Sequence, residues 1–126
     1  MRLINTNVLS MIMEIRDRII EVSFVTKKLE DNYQKLENGK FEEKELYRFI
    51  KRATEDLKKD PMCGIKIPKR LWPTQYVREY QIDNLWKYDL PNGWRLIYTL
   101  NIKEVSIITI VLEWFGHKTY ERRFNY

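Results

Sequence analysis

The chain's one histidine, His117, falls in the segment FGHKTYERRF, directly followed by Lys118, with Tyr120, Arg122 and Arg123 just beyond. An imidazole titrates near neutrality and can act as general acid or base. A phenol can protonate a leaving oxygen or stack on a base, and guanidinium and ammonium groups pair with phosphates. These residue types together point to acid/base chemistry on a phosphodiester. Upstream, Arg95 suits a bidentate phosphate contact or the charge of a pentacovalent transition state, and Lys87 suits a second phosphate contact. Glu113 is a further candidate base, and Lys66, Lys69 and Arg70 are further candidate RNA-phosphate contacts. Each also has a plainer reading. His117 can be a surface residue after a strand, Tyr120 ordinary packing, Arg95 the ion-pair partner of Asp89, Glu113 an exposed carboxylate, and the cations a solvated face.

Composition narrows the classes. At 126 residues the chain makes one domain, and its 44% hydrophobic content is enough for a core. A formal charge of +5 favours an acidic partner such as RNA, DNA or an acidic protein segment. A single cysteine, Cys63, excludes an internal disulfide and fits a reducing, cytoplasmic setting. One His and one Cys give no metal-ligand spacing, so neither metal nor cofactor is expected. No apolar run approaches the roughly 20 residues that cross a bilayer, and the opening MRLINTNVLSMIM is too polar for a signal peptide.

The elements that must position these groups follow from periodicity. Residues 1–16 read as an N-terminal extension, helical or loose, ahead of one domain over 17–126. RIIEVSFV at 18–25 is β-branched and predicts a strand. Thr26 sits where a helix N-cap belongs; Val25, Leu29, Tyr33 and Leu36 recur at helical spacing, and Asn38-Gly39 ends that helix. A second helix is predicted over 41–59, with Leu46, Phe49, Ile50, Ala53 and Leu57 as its stripe and Pro61 beyond it. From Pro61 to Tyr80 the chain reads as irregular, with a short strand at Ile65–Ile67. A three-residue Pro91-Asn92-Gly93 loop sets Leu90 opposite Trp94, Tyr88 opposite Leu96 and Trp86 opposite Tyr98, six residues on one core face. Leu85, Lys87, Asp89, Arg95, Ile97 and Thr99 take the other face. The run from Glu104 to Trp114 is apolar on both faces and predicts an interior strand, with Glu113 alternating away from Leu112 and Trp114. A rigid sheet edge would then deliver His117 and the cations behind it.

DPMCG at 60–64, NLWKYDLPNGWRLIYTL at 84–100 and the closing FGHKTYERRF, in this order of elements, resemble the RelE/ParE superfamily of toxins from toxin–antitoxin pairs. The resemblance spans about 18–124. It implies a RelE-like α+β fold: an N-terminal strand and a helical hairpin packed on a twisted antiparallel sheet of about four strands. It also implies a metal-independent endoribonuclease that cuts mRNA on the ribosome by 2′-hydroxyl attack, and a cognate antitoxin as protein partner. The family's strand arginine falls on Arg95, its preceding basic residue on Lys87, and its late His/Lys and Tyr on His117, Lys118 and Tyr120. On this reading His117 or Glu113 is the base and Tyr120 or His117 the acid. Where RelE has a second lysine on the preceding strand this chain has Asp89, a carboxylate that competes with phosphate for Arg95. The same superfamily implies two rivals, a ParE-like inhibitor of a protein target such as gyrase and an inactive relative kept as a binding module.

Overall fold

A computed structural model describes residues 17–124; the N-terminal extension predicted over 1–16 lies outside them. The chain runs β1 (Ile19–Phe24), α1 (Lys27–Leu36), α2 (Phe41–Lys59), β2 (Ile65–Lys66), α3 (Thr74–Tyr80), β3 (Trp86–Asp89), β4 (Arg95–Ile102), β5 (Ser106–Phe115) and α4 (His117–Arg123). It is an α+β fold. The sheet has five strands in the order β1-β5-β4-β3-β2, rather than about four, and it is mixed. β1 lies parallel to β5, from Ile19 beside Ser106 to Phe24 beside Val111, while the other neighbours are antiparallel. β5 thus sits between β1 and β4, as its two apolar faces require, and α4 leaves from the end of an interior strand rather than from an edge.

Local chemistry explains the helical hairpin. Thr26 is extended (φ −136°, ψ 157°) and its Oγ1 accepts from Leu29 N at 3.1 Å, capping α1. Glu43 reaches back to accept from Lys40 N at 3.2 Å, and Glu42 and Glu43 complement the start of α2 as Lys58 and Lys59 do its end. Tyr33, Leu46, Ile50, Ala53 and Leu57 from these helices meet Leu90, Leu96, Tyr98, Leu100, Ile107 and Val111 from the sheet in one core. Trp86, Tyr88 and Trp94 pack against it, so all six hairpin residues predicted for this face lie on it. Asn92 (φ 61°) and Gly93 (φ 77°) turn the loop in the left-handed region that Asn and Gly tolerate, and Leu90 N donates to Trp94 O.

The opposite face is covered too. Ile67, Tyr76, Leu85, Ile97, Leu112, Phe115, Tyr120 and Phe124 form a second core under α3 and α4. The stretch read as irregular up to Tyr80 therefore ends in a helix. Its seven residues carry one buried side chain, Tyr76, and too short a stripe to show helical periodicity. A β-bulge lies beside it: Tyr98 pairs with Val111 while Ile97 pairs with Glu113, leaving Leu112 as an extra residue. Leu112 and Glu113 consequently share the α3/α4 side, correcting the simple alternation that separated them. No helix among the described residues is long and apolar enough to cross a membrane.

Candidate functional site

The C-terminal end of β5, the start of β4 and the end of β3 meet on the second face, because Arg95 pairs with both Asp89 and Phe115. There Lys87 and Arg95 converge on one aromatic ring. Lys87 Nζ stands 5.2 Å and the Arg95 guanidinium carbon 5.3 Å from the ring centroid of Tyr120. Both cations are largely covered (19% and 17% exposed), so each ring contact acts in a partly desolvated setting and contributes on the order of 1 kcal/mol. Tyr120 is itself 5% exposed, stacks on Phe115 and meets Phe124 at a tilt. It works here as a buried platform under the two cations, a use that the acid/base reading did not include.

Asp89 lies between the two cations. Its Oδ1 is 3.0 Å from Arg95 Nε and 3.5 Å from Lys87 Nζ. Arg95 Nε is buried and does not aim its hydrogen at the carboxylate, so this is a Coulombic contact rather than a directed hydrogen bond. Arg95 Nη1 donates to Trp94 O at 3.2 Å, fixing the guanidinium plane. The cluster is a two-cation cradle with an internal anion seated in it. Asp89 is 46% exposed and can swing out to solvent.

His117 opens α4 after Gly116, with 57% of its side chain exposed. Its Nε2 lies 2.7 Å from Glu121 Oε1, one helical turn on. In the neutral tautomer that carries the Nε2 proton, Nδ1 keeps its lone pair and can accept one. The hairpin tip backs this turn: a side-chain carbon built on Gly93 would stand 3.4 Å from His117 Cβ. Glu121 was missed in the sequence, although its position four residues after the histidine is the helical pairing distance.

The remaining candidates divide. Glu113 Oε2 accepts from Tyr76 Oη at 2.6 Å and from Arg123 Nη1 at 2.9 Å, which removes it from the role of free base. Burial first, and then this hydrogen bond, push the Tyr76 hydroxyl far above the usual phenol range. Arg123 also donates to Gln75 Oε1 at 2.7 Å, and its guanidinium lies near the rings of Tyr76 and Phe115. It clamps α4 to α3 and β5 and is not presented to a ligand. Lys118 is exposed, and Arg122 is exposed with Nη2 donating to Thr119 Oγ1. Lys69 and Arg70 lie in the exposed turn before α3. Lys66 pairs with Trp86 and so belongs by register to the opposite face from Lys87. The structure gathers Lys87, Arg95 and Tyr120 and sets His117 one turn before Tyr120 on the same helix. It does not bring Lys66 or Glu113 to that group. Comparison with protein-family models, with curated proteins and with solved structures gives no match for this chain.

Proposed function

We propose that the chain is a metal-independent endoribonuclease, the toxin of a RelE/ParE-type toxin–antitoxin pair, cleaving mRNA on the ribosome in the cytoplasm. One observation carries the reading: two covered cations sit side by side on the Tyr120 ring, and the helix that supplies that ring opens with the chain's one imidazole. Arg95 and Lys87 hold the scissile phosphate once Asp89 yields, and their charge stabilises the extra negative charge of the pentacovalent state. His117 takes the proton of the ribose 2′-hydroxyl at Nδ1 while Glu121 holds the ring. The 2′-oxygen–phosphorus bond forms and the phosphorus–5′-oxygen bond breaks. Water protonates the leaving oxygen, giving a 2′,3′-cyclic phosphate and a 5′-hydroxyl.

Addition of the protein to a cell-free translation reaction, with RNA 5′ ends mapped, tests this. New 5′-hydroxyl ends that persist with chelator are expected. His117→Ala should lower cleavage by about 10²–10⁴-fold, the usual contribution of one acid/base group. Its unfolding midpoint should stay unchanged, since the residue is exposed. Cutting at the wild-type rate by that variant overturns the assignment.

The seated Asp89 specifically favours a second reading, a ParE-like binder of a protein target such as gyrase or an inactive relative. A cradle already filled by a carboxylate suits a structural role. Intact RNA in the translation assay, with inhibition of gyrase supercoiling, would select it.

A further inference from the structure

A groove runs on the other side of the hairpin, between α2 and β3. It is an open groove of about 600 Å³ lined by Arg48, Phe49, Arg52, Tyr88, Asp89, Leu90 and Pro91. Two hydrogen bonds join α2 to the hairpin beside it. Asn92 Nδ2 donates to Glu45 Oε1 at 3.1 Å, and the Tyr88 hydroxyl donates to Asp56 Oδ2. These bonds have an electrostatic side effect. Glu45 and Asp56 stand at helical pairing distance from Arg48 and Arg52, three residues before the one and four after the other. Both carboxylates are turned to the hairpin instead. Arg48 and Arg52 are exposed and make no ion pair or hydrogen bond among the described residues. Asp89, the one carboxylate on the groove's wall, already serves Arg95 and Lys87.

The strand side is open as well. β2 pairs with β3 only at Lys87 and Trp86, so no described strand flanks Asp89 on its outer side. Leu90 N points inward to Trp94 O, and antiparallel alternation turns the main-chain groups of Asp89 outward.

We propose that this groove docks an acidic peptide segment carrying an apolar anchor. The anchor fills the space over Phe49, Leu90 and Pro91, its flanking carboxylates pair with Arg48 and Arg52, and its backbone can add to the open edge at Asp89. Charge complementarity selects this occupant over a basic one. The apolar wall selects peptide over RNA, whose phosphates would meet the arginines but leave the half-buried Phe49 and the exposed Pro91 uncovered. In the toxin reading the segment belongs to the antitoxin, and only that clause depends on the reading; the groove's lining excludes His117, Lys87 and Arg95 and shares Asp89 alone with the cradle.

The test is selection of a random displayed peptide library on the full chain, followed by fluorescence anisotropy of the enriched peptides. Acidic sequences with an embedded apolar residue are expected. Their affinity should fall at least tenfold on Arg48→Glu/Arg52→Glu and weaken as salt rises. Both residues are exposed, so the variant should fold, which its circular dichroism checks. Failure to enrich peptides, enrichment of peptides without acidic residues, or equal binding by the variant overturns the proposal. So does a labelled RNA oligonucleotide that binds the wild type and loses affinity on the same double substitution. RNA cleavage by the variant, measured alongside, keeps the two proposals separate: loss of peptide binding with unchanged cutting supports the groove, and absent cutting in both proteins speaks only against the nuclease.

Discussion

The two faces of the sheet are built on different principles. The first is covered by helices of 10 and 19 residues, and its core is aliphatic and aromatic. The second is covered by two seven-residue helices, and ion pairs run among its apolar side chains: Lys87, Asp89 and Arg95 in one group, Glu113 and Arg123 in another. A long amphipathic helix buries enough surface to hold itself on a sheet, whereas a two-turn helix does not and needs specific tethers. The second face therefore has charge where the first has hydrocarbon, and charge close to a surface is what chemistry requires. Stability and the proposed chemistry are divided between the two sides of one sheet.

The contrast can be broken or sharpened experimentally. Leu57→Ala, at a fully buried position on the first face, should cost about 2–5 kcal/mol in urea unfolding while leaving RNA cleavage per folded molecule unchanged. A loss under about 1 kcal/mol would mean that this face is not the tightly packed one. Arg123→Ala should cost less, about 1–3 kcal/mol, by leaving Glu113 half satisfied. Its signature is local: amides of α4 should lose hydrogen-exchange protection before those of α2. Uniform loss across the chain would make the faces one cooperative unit and dissolve the comparison.

Asp89→Asn should hardly change stability, because a half-exposed ion pair contributes only about 0–1 kcal/mol. It should tighten binding of a short RNA by about threefold to tenfold, since it removes the anion that competes for Lys87 and Arg95. Unchanged or weaker RNA binding would mean that the cradle is structural. The smallest contrast is at alkaline pH, where both faces hold tyrosines. Burial, and then the hydrogen bond to Asp56, push Tyr88 up to about 12. An unfolded tyrosine ionises near ~10, so this stabilisation is complete below that pH and disappears as pH rises toward the folded value. Denaturation titrations should show stability falling over that window and Tyr88→Phe flattening part of the fall.

What could be read from the sequence follows the same division. Phe41–Lys59 and the Thr26 cap were visible because a long stripe and a capping hydroxyl are local signals. The pairing of Trp86, Tyr88 and Leu90 with Tyr98, Leu96 and Trp94 followed from a turn whose Asn and Gly set the register. Asp89 opposite Arg95 followed with it. The helix Thr74–Tyr80 was not visible, because its one buried residue is held from far along the chain by Glu113 and Arg123. For the same reason Glu113 looked like a free base, since Tyr76 and Arg123 reach it from other elements. Lys87 and Arg95 likewise come to the Tyr120 ring from β3 and β4, and no local pattern contains them. The parallel placement of β1 against β5 was equally hidden, since nothing in a strand's own residues states which edge it joins.

The extra residue at Leu112 separates two properties that strands normally hold together. Val111 and Glu113 already face consecutive residues of β4, so Leu112 has no partner of its own. A chain without it could keep every cross-strand pair and every side chain on its present side. Besides one buried side chain of the second core, it would lose the local bend, and with it the angle at which the strand releases Gly116 and the helix beyond. In evolutionary terms that single codon is a steering adjustment: gaining or losing it re-aims the histidine without renumbering the sheet.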